Sequence, residues 1–251
     1  MQGALKAGLL AAPEIMVSDV SADRLKYLAE KYGVQTTANN VQALRAAENI
    51  LLAVKPQSCG SVLDEIQAVN KPDQLIITIV AGVPMAQIDV RQNLRVARVM
   101  PNTPALIGQA ASAVCFNPRA AAPDKEFTLR LLRSIGAAIE VEERDLNAIT
   151  GLSGSGPAFV FRLMDYFVQA GEGLGLAADK ARALVYQTFA GSARLAQESG
   201  RPLADLIAQV TSPNGTTQAG REVLEQSAAG QIIGNTVRRA KERADELAGG
   251  R

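Results

Sequence analysis

Hydrophobic residues up to Val141 gather in short unbroken runs instead of alternating with polar ones. The runs are Ile15 to Ser18, Ile50 to Val54, Leu75 to Val80, Val96 to Met100, Ala113 to Phe116 and Ala138 to Val141. A continuous apolar run of this length followed by turn residues reads as a strand covered on both faces. Lys55-Pro56, Ala81-Gly82 and Pro101 supply such turns. Between the runs the spacing is helical. Ser21 can cap a helix reaching Tyr32, with Leu25, Leu28 and Ala29 on one face. Met1 to Ala12 reads as the tail of an amphipathic helix. Strands alternating with helices predict a doubly wound, parallel α/β domain of nucleotide-binding type.

After Glu142-Glu143-Arg144 the strand signal stops. Pro157 opens a helix with Val160, Leu163, Met164, Phe167 and Val168 on one stripe. A second helix carries Ala181, Leu184, Val185, Thr188, Phe189 and Leu195, and a third follows Gly230. The expected division is residues 1–144 as the dinucleotide-binding domain and 145–251 as an all-α domain. The apolar stripes of the latter outnumber what so small a unit can bury, which predicts burial against a second copy.

Composition narrows the chemistry. The chain has 251 residues, 47% hydrophobic and 20% charged, with a net charge of +1. That balance gives no electrostatic pull toward nucleic acid or an anionic membrane. The longest apolar run, Leu75 to Ile88, contains Thr78, Gly82 and Pro84 and is too short to span a bilayer. The start lacks the form of a secretion signal, so a cytoplasmic protein is expected. Cys59 and Cys115 read as buried free thiols in a reducing compartment. Histidine is absent. This removes serine–histidine and cysteine–histidine catalysis and histidine zinc sites, and no metal site is expected. Chemistry must come from a cofactor, backbone groups, hydroxyls, lysine or carboxylates.

In an open parallel sheet, ligands bind beyond the carboxyl ends of the strands. Ser18-Asp19, Ala53-Val54-Lys55-Pro56, Ala81-Gly82-Val83 and Met100-Pro101-Asn102-Thr103-Pro104 stand at such ends. Singly, Lys55 fits a solvated lysine and Asn102 fits turn chemistry; together they form a polar rim. Two further segments open helices: Leu152-Ser153-Gly154-Ser155-Gly156-Pro157, and Thr211-Ser212-Pro213-Asn214-Gly215-Thr216-Thr217. Each offers free N–H groups and a positive dipole to an anion, or serves as an ordinary cap.

The strings AVKP (53–56), VAGV (80–83), MPNTPALIG (100–108), TGLSGSGPAFVF (150–161) and VTSPNGTT (210–217) resemble, in order and spacing, those of pyrroline-5-carboxylate reductases. The resemblance runs from Met1 to the last helix. It implies a Rossmann domain, a helical dimerisation domain, an active site between them, and dimers that often assemble into rings. It implies that Asn40, Ala53, Val54, Lys55, Pro56, Ala81, Gly82, Asn102 and Thr103 line a nicotinamide cofactor. Ser212, Asn214, Gly215, Thr216 and Thr217 would hold the substrate carboxylate, with Thr150, Ser155 and Thr217 near the reacting ring. Asp19, ending a strand, suits the ribose of NADH, whereas Ser18, Ser21 and Arg24 suit NADPH; NADPH with tolerance of NADH is expected. The substrate is a cyclic imine whose protonated form accepts hydride without a strong general acid, in keeping with a chain that lacks histidine.

The sequence departs from the family in two places. The first strand and its glycine-rich turn are missing ahead of Gly3, which implies a misassigned start or a gene fragment and leaves unpaired edges in the middle of the sheet. Asn214 stands where the family has glycine, and asparagine tolerates the left-handed backbone. Two rival readings remain. One is a β-hydroxyacid dehydrogenase, although Lys180 and Lys241 lack a suitable motif. The other is an inactive homologue persisting as a helical dimer.

Overall fold

The computed structural model describes residues 1–69, 71, 74–90 and 93–249. The chain forms two compact units, one of Met1–Ser155 with Arg239–Arg251 and one of Gly156–Arg238.

The first unit is α/β. Its elements in order are α1 (Gln2–Lys6), β1 (Met16–Ser18), α2 (Ala22–Tyr32), β2 (Gln35–Thr37), α3 (Asn40–Ala46), β3 (Asn49–Leu52), α4 (Pro56–Val69), β4 (Leu75–Thr78), α5 (Met85–Ile88), β5 (Arg95–Met100), β6 (Ala110–Phe116), α6 (Ala122–Arg133), β7 (Gly136–Glu140) and α7 (Leu146–Ile149). Strands β3 to β7 form one sheet in sequence order. The β4 residues alternate in direction, as strand geometry requires. Ile76 faces a core with Cys59, Leu63 and Ile66 of α4. Leu75 and Ile77 face the opposite core, with Leu132 of α6. Both faces of β4 are therefore covered, which explains its unbroken apolar run.

Three expectations need correction. The sheet is not wholly parallel, because β5 and β6 pair antiparallel. The turn Thr103–Ile107 is too short for a crossover helix, and a short connection returns the chain antiparallel. β2 was not anticipated, since Gln-Thr-Thr carries no apolar run. The helix at the start covers only Gln2–Lys6, and the chain then turns at Gly8, where φ is 62°.

The expectation of unpaired edges is met. β1 and β2 form a separate two-stranded parallel sheet, and β1 exchanges no ladder bonds with β3. Among the described residues no strand covers the second edge of either. Leu51, in β3, is 48% exposed as a result.

The second unit is helical: α8 (Gly156–Gly173), α9 (Ala178–Ser199), α10 (Leu203–Gln209), α11 (Thr216–Gln226) and the first part of α12 (Ala229–Ala248). α10 was not anticipated. α8 and α9 pack together, with Phe167 and Phe189 edge to face at 5.4 Å. Yet Ala181 alone is buried among this unit's described residues. Phe161, Leu174, Leu184 and Val223 are each more than 60% exposed. So much bare apolar surface marks a face that another chain covers.

Candidate active site

β3 ends at Leu52 and β4 at Thr78, each a little earlier than the apolar runs suggested. This leaves Ala53-Val54-Lys55 and Ile79 to Pro84 as turns at the carboxyl ends of neighbouring strands. Pro56 is the first residue of α4, the position where its fixed φ and missing N–H fit best. Lys55 is exposed, and its ammonium has no partner among the described residues. Gly82 adopts φ of 76°, a left-handed conformation that favours glycine. A cavity of about 210 Å³ separates the two turns. Pro56, Cys59, Ala81, Gly82 and Leu247 of α12 are among the residues that line it.

At the end of β1, the Ser18 hydroxyl donates to Asn40 Oδ1 at 2.7 Å. Asp19 Oδ1 accepts the Ser21 N–H at 2.8 Å, forming the turn that leads into α2. Ser21 in turn caps α2 by accepting from the Arg24 N–H. Ser18 and Asn40, far apart in sequence, thus meet at the strand end that Asp19 follows.

Asn102 has a structural part that the sequence did not show. Its Nδ2 donates to the Ser153 carbonyl at 3.1 Å, and its Oδ1 accepts the Ala111 N–H at 2.9 Å. The side chain therefore ties the end of β5 to the start of β6 and to the turn at 150–154. That turn is π-helical, closed by the Ser155 N–H on the Thr150 carbonyl at 2.8 Å. Wide turns of this kind recur at functional sites. Met100 lies against Gly154, with its sulfur 3.2 Å from where a Cβ would stand. The Thr150 hydroxyl donates to the Leu146 carbonyl at 2.7 Å. With its proton so committed, it can only accept from a ligand. The Ser155 hydroxyl has no partner among the described residues. Thr103 is exposed.

In the second unit, Ser212 to Thr217 form a single turn at the start of α11. Asn214 has φ of 57° and is the only residue other than glycine with positive φ among those described. Asparagine thus fills a position that suits glycine. The Asn214 N–H is committed to Gln218 Oε1 at 2.8 Å and the Gly215 N–H to the Ser212 carbonyl at 3.1 Å. These two N–H groups shape the turn and are not free for a ligand, which corrects the expectation of a cradle running from Asn214 onward. Gly215, the N-cap, bonds no side chain to the first turn of α11. The N–H groups of Thr216 and Thr217 therefore have no partner among the described residues, nor have the hydroxyls of Ser212, Thr216 and Thr217. A Cβ at Gly215 would meet Ser212 Oγ and force that hydroxyl to rotate away.

Sequence reading also missed a buried ion pair. Arg98 in β5 is 5% exposed and bonds Glu143 at 3.1 Å. A lone arginine inside an apolar strand was the available signal. Cys115 next to it has its thiol pKa pushed up to about 11, first by burial and then by the Glu143 carboxylate. Both cysteines are free and buried. Among the described residues no helix is long and apolar enough to cross a membrane.

The family description "Pyrroline-5-carboxylate reductase dimerisation" matches residues 143–247, and "NADP oxidoreductase coenzyme F420-dependent" matches residues 1–82. The pyrroline-5-carboxylate reductase of Methanosarcina acetivorans is 37% identical, the match covering 98% of this chain and 92% of that protein. The enzyme of Pseudomonas aeruginosa is 36% identical over 98% of this chain and 91% of its own length. The structure of a pyrroline-5-carboxylate reductase from Coxiella burnetii superimposes with a TM-score of 0.92 at 33% identity, over 98% of this chain and 93% of that one. The Plasmodium falciparum structure, solved with NADP bound, gives 0.85 at 27% identity over 98% and 92%. The α/β part matching an NADP oxidoreductase model, with helices matching a dimerisation model, defines a dinucleotide-dependent oxidoreductase that forms homo-oligomers. Within that class, the chain belongs to the pyrroline-5-carboxylate reductase family.

Proposed function

We propose that the chain reduces 1-pyrroline-5-carboxylate to L-proline, the last step of proline synthesis, with NADPH as cofactor and NADH tolerated. The likeness to enzymes of that name over 98% of the chain carries this reading. In it, residues 1–144 hold the cofactor and residues 145–251 dimerise and bind substrate. The dimers can assemble into a larger ring, and the enzyme works in the cytoplasm.

The residues fit a dinucleotide. Asn40 bonds Ser18 at the strand end that Asp19 follows, where ribose hydroxyls can bond Asn40 and Asp19. The Lys55 ammonium is free for a phosphate, and Ala53, Val54 and Pro56 with Ala81 and Gly82 bring bare backbone to the strand ends. The Arg24 guanidinium lies over the Tyr27 ring at 5.3 Å, without a carboxylate partner among the described residues, and is placed to meet a 2′-phosphate. Asn102 fixes the segment carrying Thr103, which in this reading faces the nicotinamide. The cofactor, when bound, supplies the hydride. The chain's residues orient the acceptor. Ser212 and Thr217, with the N–H groups of Thr216 and Thr217, hold the carboxylate without a cation that would oppose the iminium charge. Asn214 and Gly215 keep that turn in shape. The acceptor-only hydroxyl of Thr150 suits a protonated ring nitrogen, and Ser155 lies one turn away.

The test is the rate of NADPH oxidation with pyrroline-5-carboxylate. Ser212→Ala and Thr217→Val are expected to lower kcat/KM by one to two decades, the loss of a hydrogen bond to a charged group being about 1.5–3 kcal/mol. NADPH affinity should hardly change. Unaltered kcat/KM in both variants would remove this turn from the site. The free edges of β1 and β3 favour a second reading, a homologue that dimerises without turnover. Failure to bind NADPH at all would select it.

A further inference from the structure

We infer that Glu143 is a positioning residue that clamps the turn following β4, and that Arg98 holds the clamp in place. The turn from Ala81 to Pro84 leads into α5, whose N-cap, Pro84, gives no side-chain bond to the first turn. The cap comes instead from 58 residues away: Glu143 Oε1 accepts the Met85 N–H at 2.8 Å. A carboxylate there satisfies a backbone donor that the N-cap leaves without a side-chain partner.

The same oxygen accepts from Arg98 Nη1 at 3.1 Å. Arg98 is buried, and the core around this point consists of Met100, Ala113, Cys115 and Leu146, with Met85 and Ala81 at its edge. A guanidinium in such surroundings needs a paired carboxylate, so Glu143 cannot swing to solvent without stranding it. Glu143 itself is about one-third exposed on its side chain and opens the short 3-10 turn Glu143–Asp145 that follows β7. One carboxylate oxygen therefore fixes the β4 turn to both β5 and the chain beyond β7. The β4 turn carries Ala81 and Gly82, so the functional half of this inference rests on their reading as a cofactor wall.

Hydrogen exchange at the Met85 amide reads the clamp directly, and NADPH titration of the same samples reads its effect on the cofactor. In Glu143→Ala, exchange at Met85 should rise roughly tenfold or more beyond the change at Ile77 and Val99, which report global opening. The dissociation constant for NADPH should rise about tenfold. Glu143→Gln keeps an acceptor oxygen and should restore most of both. If Glu143→Ala does not fold, the pair Arg98→Met with Glu143→Ala removes the stranded charge and should show the same local exchange. Met85 exchange that follows Ile77 and Val99, or that stays fast in Glu143→Gln, would overturn the clamp. A protected Met85 in a wild-type chain that binds no NADPH would uphold the clamp and refute its cofactor role.

Discussion

Gly82→Ala separates backbone strain from crowding at the β4 turn. Gly82 has φ of 76°. An alanine held in that conformation costs about 1–2 kcal/mol. Its Cβ would also stand 3.0 Å from Leu247 Cβ, 3.3 Å from the Leu247 carbonyl carbon and 3.4 Å from the oxygen. These contacts are mostly backbone, so the end of α12 must shift by a few tenths of an ångström. Overpacking of this kind adds roughly 1–2 kcal/mol. The sum, about 2–4 kcal/mol, corresponds to a Tm loss of roughly 5–15 °C for a unit of this size. Thermal melts followed by circular dichroism give the total. A chain ending before Leu247 gives the division, because it removes the crowding and leaves the strain. In that background Gly82→Ala should lose only the backbone share. An equal cost in both backgrounds would show that Leu247 does not press on the turn, and a wild-type Tm in Gly82→Ala would refute the strain as well.

Gly136→Ala should be the more severe change, because φ there is 146° and the new Cβ would enter the Ala110 backbone in the neighbouring strand; a soluble, fully folded variant would contradict the pairing of β6 with β7. Asn214→Gly should leave stability within about 0.5 kcal/mol, whereas Asn214→Val should cost about 1–2 kcal/mol at φ of 57°, both readable by urea melts. Cys115, with a folded-state pKa of about 11, should resist thiol reagents at pH 8 until the chain unfolds. Between the unfolded value near 9 and the folded value the unfolded chain binds fewer protons, so this group's contribution to stability is full below pH 9 and falls as pH rises toward 11. A Cys115→Ala variant should lose that share of the decline.

The sequence by itself determined the class of each part and the places where chemistry could sit. Unbroken apolar runs at Leu75 and Val96 implied strands covered on both sides, and the cores around Ile76 and Ile77 show both sides covered. The absence of histidine limited the mechanism before any coordinate was known. Asn214 was legible because one turn geometry suits few residue types. Only the tertiary structure decided how distant groups meet. Ser18 and Asn40 meet at a strand end, and Asn102 bonds Ser153, because the fold brings them together. β2 escaped notice because a short polar strand has no periodic signal and exists through its ladder with β1. The reversal at β6 depended on the length of a connection and not on strand composition. The Arg98–Glu143–Met85 junction joins three elements across a core. Side-chain burial is a property of that packing, and no local pattern along the chain encodes which carboxylate a buried arginine will find.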